Sequence, residues 1–189
     1  VADVVVDNFC QVVTKRLGID HQSLNKVIPK IITWSISGFG DTEVNRPAYD
    51  NLIQGYAGAM SITGTDKENP VKSGIPIADL GAGLYAVIGI LSAIQSREKN
   101  DSGEHVDISM LDTQVSLLTY MATMHFLSGE NPEPIGNQHM NHVPFNSYRT
   151  SDGFIQIGVV AEDFWPSLIE ALDLRQLDTE ENKLRVGRL

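Results

Sequence analysis

Cysteine is all but missing from this chain: Cys10 stands alone among 189 residues. One thiol cannot close an intrachain disulfide or build a cysteine-based zinc site. A reducing compartment fits that usage, and a cytoplasmic location is expected. Basic side chains are scarce too. Lys and Arg number 14 against 24 Asp and Glu, a net charge of −10. A general nucleic-acid binder carries a basic footprint, so no nucleic-acid partner is expected. The same deficit argues against an anionic membrane surface. The longest apolar stretch, 80–94, is short and rich in glycine for a membrane span, and no basic segment followed by an apolar one opens the chain. No membrane partner is expected. His139 and His142 are spaced i, i+3 in a loop with no third ligand nearby, so no metal is expected. A Gly-x-Ser-x-Gly elbow and a Walker A sequence are both lacking.

What is present describes a folded α/β protein. Hydrophobic residues make up 42% of the chain, enough for one or two domains with a real core. Val4-Val5-Val6 reads as a short buried strand and 30–37 as a second. A helix over 11–17, closed by Gly18, and a helical turn over 23–27 lie between them. Strand, helix and strand in that order suggest a parallel sheet. A polar loop through Asn45 and Arg46 leads to a helix over 50–61. A third strand is expected at 106–108. Ser109 and Asp112 have capping-box spacing and open a helix running to about 127. Residues 130–140, rich in Pro, Gly, Asn and His, form the best linker. Beyond it, Asp152-Gly153 between two alternating segments signals a hairpin, a helix is expected over 161–172, and 180–185 is a helix-like polar run. Because the chain opens on a strand and closes on that run, it is expected to be an internal segment of a longer protein.

One acid stands out. Asp79 begins a run from Leu80 to Gln95 that holds no charged side chain. At the start of a helix, a carboxylate meets unpaired N–H groups and the positive end of the dipole, both of which favour its ionised form. That form is what a nucleophilic carboxylate needs. A plain N-cap is the simpler alternative, since Asp is a preferred cap. Gly38-Phe39-Gly40 follows a strand like a phosphate-approach turn, but lacks the third glycine and immediate helix of a dinucleotide fingerprint.

The order of the segments carries a resemblance. Ala2-Asp3-Val4-Val5-Val6-Asp7-Asn8-Phe9, Arg16-Leu17-Gly18, Ser35-Ile36-Ser37-Gly38-Phe39-Gly40 and Pro47-Ala48-Tyr49-Asp50 form one series. It continues through Gly58-Ala59-Met60-Ser61-Ile62-Thr63-Gly64, Ile77-Ala78-Asp79-Leu80-Gly81-Ala82-Gly83-Leu84-Tyr85 and Val106-Asp107-Ile108-Ser109-Met110-Leu111-Asp112, then Gly136-Asn137 and Asp152-Gly153. Over nearly its whole length the chain resembles the family III CoA-transferases, a group that includes formyl-CoA transferase, carnitine CoA-transferase and α-methylacyl-CoA racemase.

The resemblance implies part of a large Rossmann-like domain over 1–130, then a linker and the start of a smaller α+β domain over 131–189. It implies an acyl-CoA:carboxylate CoA-transferase in which Asp79 forms an aspartyl-CoA thioester. The partners would be an acyl-CoA and a carboxylic acid acceptor, and the full-length protein would form an interlocked homodimer. Coenzyme A would be held by Asn8, Phe9 and Arg16 beside its nucleotide and by the turn Ser37, Gly38, Phe39 and Gly40. Cys10-Gln11-Val12 departs from the family's usual Arg-Pro-Gly. The racemase branch has a His where this chain has Tyr49, and a Glu near 158–161, where no acid occurs before Glu162. Transfer is therefore the preferred reading. A racemase-type epimerase and an inactive fragment or non-catalytic CoA-binding protein remain as alternatives.

Overall fold

The computed structural model describes residues 2–42 and 46–188. The centre of the expected polar loop, 43–45, lies outside the described residues. The chain divides into two compact units, one of residues up to 63 with 70–132, the other of 64–69 with the chain from 133 onward.

The first unit is built on three parallel strands in the order β1 (Val4–Asp7), β2 (Ile32–Ser37) and β3 (His105–Ser109). Val4 pairs with Ile32 and Trp34 with Val106. Between β1 and β2 lie α1 (Gln11–Leu17) and α2 (His21–Asn25). Gly18 ends α1 at φ 68°, a left-handed conformation that glycine adopts without penalty. α2 starts two residues before the expected Ser23. The cause is Asp20, whose carboxylate accepts from Ser23 N at 3.1 Å and Ser23 Oγ at 2.6 Å and so caps the helix earlier.

α3 (Asp50–Tyr56) and α4 (Ile77–Asn100) lead from β2 to β3. The expected 50–61 helix stops at Tyr56, because Gly58 turns left-handed at φ 78° and a 3-10 turn, Ala59–Ser61, follows. α4 is expected to start at Asp79 and end in Arg97-Glu98-Lys99; it starts two residues earlier and ends at Asn100, just past those charged residues. By length and composition it could cross a membrane, alone in that among the described residues. Here it is the crossover helix of a parallel sheet. Its narrow face, with Ala78, Ala82, Ala86 and Ala93 buried, packs inward. A Cβ on Gly89 would come within 2.6 Å of Val106 Cγ1, so the helix lies as close to β3 as a bare backbone permits. Leu84, Val87, Ile88 and Leu91 on α4 are exposed. The core joins Ile53, Ala78, Ala82 and Met110, with Ile36, Phe39 and Leu111 packed against them. Full burial of a side chain such as Ile53 stabilises by roughly 2–3 kcal/mol.

The single helix expected from Ser109 to 127 is two: α5 (Met110–Ser116) and α6 (Tyr120–Ser128). Ser109 caps α5, accepting from Asp112 N at 3.1 Å. Thr119 then breaks the path at φ 48°, ψ −119°, a strained conformation for a β-branched residue. Leu111, Val115, Leu118, Ala122 and Phe126 keep a 3–4 spacing in the sequence across this break, so the sequence periodicity conceals it.

In the second unit, β4 (Phe145–Arg149) and β5 (Phe154–Gly158) form the expected antiparallel hairpin. α7 (Phe164–Ala171) contributes Trp165 and Ile169 to a small core with Val159. The segment 64–69 is fastened to this unit by Gly136 N donating to Gly64 O at 2.7 Å and by a Lys67–Glu133 ion pair. The polar run 180–185 does not wind into the expected helix. Only α8 (Arg185–Arg188) is helical, its first N–H donating to Glu162 Oε1 at 2.8 Å.

Candidate active site

A helix that follows a parallel strand and leads to the next one runs back along the sheet. The start of α4 therefore faces the rim formed by the carboxyl ends of the strands, where open α/β sheets bind ligands. Asn8, Phe9 and the turn 37–40 lie at strand ends, whereas Arg16 does not. Asn8 and Phe9 follow β1, both exposed. Phe9 N donates to Asp7 Oδ1 at 3.0 Å, which fixes the turn out of the strand. Arg16 lies in the last turn of α1, exposed. A cleft of about 160 Å³ takes in Phe9 but not Arg16 or Asp79, and Lys15, His21 and His105 help to line it.

Ser37, Gly38, Phe39 and Gly40 form the turn out of β2. Gly38 is buried, and a Cβ there would lie 2.2 Å from Ala48 Cβ, so no larger residue fits. Gly40 has φ 70°. The turn is internally satisfied: Gly40 N donates to Ser37 Oγ at 2.9 Å, and the next N–H, of Asp41, donates to Asp107 Oδ2 at 2.6 Å. These two N–H groups are therefore already engaged. Phe39 is partly buried and packs against the core cluster that includes Ala78, one residue before Asp79. The β2 turn and the start of α4 thus share one cluster, and Asn8, Phe9 and Arg16 lie outside it.

Asp79 is the third residue of α4 and is exposed. Pro76 occupies the N-cap position, so Asp79 is not the N-cap. None of the described residues donates a hydrogen bond to its carboxylate. The expectation that the helix start would favour its ionised form is not met. Loss of water around the carboxyl, and next the charge of Asp50, push its pKa above the ordinary carboxylate value.

Asp50 is a site component that the sequence pattern does not announce. Although it begins α3, its Oδ1 accepts from Ala78 N at 2.9 Å and its Oδ2 from Gln54 Nε2 at 2.7 Å. Gln54, 1% exposed, uses its Oε1 to accept from Ser73 N at 2.8 Å. The one available signal is an acid and an amide at i, i+4 in Asp50-Asn51-Leu52-Ile53-Gln54. Arg46 is a second such component. Its guanidinium lies 4.9 Å from the Phe39 ring centre and 4.8 Å from that of Tyr56, a cation held against two aromatic faces beside the β2 turn.

Tyr49 and Glu162, the two positions compared with the racemase branch, lie one in each unit. Tyr49 is 70% exposed. Glu162 Oε2 accepts from Arg188 Nη2 at 2.7 Å. Its backbone bond from Arg185, then Arg188, hold its carboxyl below the ordinary range.

The arrangement is an α/β unit with a carboxylate at the strand-end rim that has no hydrogen-bond donor among the described residues, preceded by a glycine turn. The chain belongs to CoA-transferase family III, whose model matches residues 1–188. Among its relatives, the succinate–glutarate CoA-transferase of Agrobacterium fabrum is 35% identical over 98% of this chain and 48% of its own length. The human succinyl-CoA:glutarate CoA-transferase is 30% identical over 100% of this chain and 43% of its own. The acetyl-CoA:oxalate CoA-transferase of Acetobacter aceti is 32% identical over 95% and 47%. In structure, a CAIB/BAIF family protein from Brucella suis superposes with a TM-score of 0.87 at 34% identity, covering 99% of this chain and 50% of that one. The chain spans about half the length of the relatives it matches.

Proposed function

We propose that the whole protein is an acyl-CoA:carboxylate CoA-transferase that works through an aspartyl-CoA thioester on Asp79. The observation that carries this reading is the Asp79 carboxylate, exposed at the strand-end rim with no hydrogen-bond donor among the described residues. An Asp79 oxygen attacks the thioester carbonyl, and the tetrahedral intermediate collapses to a mixed anhydride as CoA thiolate leaves. The thiolate attacks the Asp79 carbonyl carbon, which releases the donor acid and leaves CoA on Asp79. The acceptor carboxylate repeats the exchange in reverse and restores the free aspartate. No net proton is consumed, and each step joins groups of similar reactivity.

Carboxylate acceptors carrying a second carboxylate are the favoured substrates. Relatives named for succinate, glutarate and oxalate support this. Arg46 supplies a cation at the same rim. Asn8, Phe9, Arg16 and the turn 37–40 are the proposed CoA contacts, and the full-length protein is proposed to be an interlocked homodimer in the cytoplasm. The 189-residue chain alone is expected to show little or no transfer.

Mass spectrometry of the full-length protein incubated with succinyl-CoA or acetyl-CoA tests the reading. A CoA adduct should appear on Asp79 and vanish in Asp79→Asn. An adduct on another residue, or transfer that survives Asp79→Asn, overturns it. Deuterium uptake at the acyl α-carbon without an acceptor acid would point to the epimerase instead.

A further inference from the structure

The start of α4 is capped from another helix. Pro76, at the N-cap position, offers no side-chain acceptor. The Ala78 N–H is instead taken by Asp50 Oδ1 across the gap from α3. The other Asp50 oxygen is held by Gln54 Nε2, and Gln54 Oε1 in turn holds Ser73 N. Two residues of α3 thus grip the segment that delivers Asp79, one on each side of Pro76. Gln54 is fully buried, so this grip is built into the core rather than laid on the surface.

We propose that Asp50 is a positioning residue for Asp79: by taking the first-turn N–H itself, it fixes the helix start and leaves the Asp79 carboxylate unbonded beside a second negative charge. This rests on the reading of Asp79 as the nucleophile. A carboxylate that accepted the Ala78 N–H would be stabilised and correspondingly less nucleophilic. With that N–H engaged elsewhere, Asp79 stays more basic, in line with the upward displacement of its pKa by lost solvation and by Asp50. The elements packed against α4 also carry Tyr56 on α3, Asp112 on α5, and His105 and Asp107 on β3. Lys72, in the preceding loop, donates to Ser73 O at 3.2 Å. Of all these groups Asp50 is the one whose charge acts on Asp79.

Asp50→Asn in the full-length enzyme is the test. The substituted amide keeps an oxygen for Ala78 N but turns an NH₂ toward Gln54, so that bond must rearrange. Combining Asp50→Asn with Gln54→Glu restores the pattern. The carboxylate introduced at position 54 then accepts from both the amide at position 50 and Ser73 N, with the charge moved away from the first turn of α4. The single variant should move the acid limb of the kcat/KM profile to lower pH. It should reduce kcat at neutral pH by about tenfold while KM for acyl-CoA stays within about twofold. The double variant should recover fold stability but keep the displaced acid limb. A CoA adduct on Asp79 should persist in both. If the adduct persists and the acid limb does not move in either variant, Asp50 is not a positioning residue. If wild-type enzyme forms no adduct on Asp79, the nucleophile reading fails first and this role falls with it. If the single variant does not fold, the double variant decides by the same limb.

Discussion

Two carboxylates in this chain meet opposite treatment. Glu162, in the second unit, is saturated. Its oxygens accept from Arg185 N and Arg188 Nη2, and the Arg188 side chain is itself 3% exposed and bound to the carbonyls of Val143, Asn182 and Lys183. The same guanidinium lies 4.8 Å from the Trp165 ring centre. The hydrogen bonds and cations around Glu162 together lower its pKa. Asp79, in the first unit, has no donor among the described residues, a like charge nearby, and a raised pKa. A carboxylate that holds a fold together is stabilised in its charged form. Asp79, the proposed nucleophile, is left without a hydrogen-bond donor among the described residues, as a reactive group requires.

Activity gives the sharpest test of that contrast. Asp79→Asn should reduce transfer by the full-length enzyme by on the order of 10³-fold or more, whereas Glu162→Gln should stay within about threefold. Steady-state rates with one acyl-CoA and one dicarboxylate decide it; comparable losses in both variants would erase the distinction. Stability should reverse the order. Arg188→Ala strips the buried cation from Glu162, Trp165 and three carbonyls, and should lower the unfolding midpoint of the second unit by roughly 5 °C. Calorimetry would measure this, and an unchanged midpoint would mean that the Arg188 contacts are ornamental.

The turn out of β2 comes next. Gly38→Ala places a methyl 2.2 Å from Ala48 Cβ and should cost about 2 kcal/mol in denaturant unfolding. A neutral result would show that the β2 turn can shift away.

The smallest effect lies in the pH dependence of stability. Asp79 has a raised folded pKa, so its contribution is present at low pH and is lost as pH rises through that pKa. Removing its charge with Asp79→Asn should therefore stabilise at neutral pH by roughly 0.3 kcal/mol, the scale of a screened like-charge pair, and the gain should fade in acid. Glu162 has a depressed folded pKa, so its contribution is present at neutral pH and is lost as pH falls through that pKa. Glu162→Gln should destabilise at neutral pH, with the deficit closing in acid. Urea midpoints across pH 3 to about 8 should show these two trends with opposite slopes; parallel slopes would contradict the assignment.

Much of this was legible in the residues. The strands at Val4-Val5-Val6 and 30–37 (the latter starting only at Ile32), the Gly18 stop, the Ser109 cap and the Asp152-Gly153 hairpin are local patterns, set by propensity and hydrogen bonding within a few positions. Asp79 stood out as a candidate because a lone acid before a long uncharged run is conspicuous. The break at Thr119 was not legible, since the 3–4 apolar spacing in the sequence runs across it. The role of Asp50 was hidden for a different reason: its hydrogen-bond partner, Ala78, is remote in sequence.

The sequence by itself determined the parallel α/β class, the family to which the chain belongs and the presence of a lone acid in the first turn of α4, because periodicity, turn residues and ordered motifs act over short ranges. Only the tertiary structure decided what that acid experiences. The helix start was expected to favour its charge, yet the fold assigns the Ala78 N–H to Asp50 and takes water from the Asp79 carboxyl. Solvation and charge proximity depend on distances through space, which no stretch of chain specifies on its own.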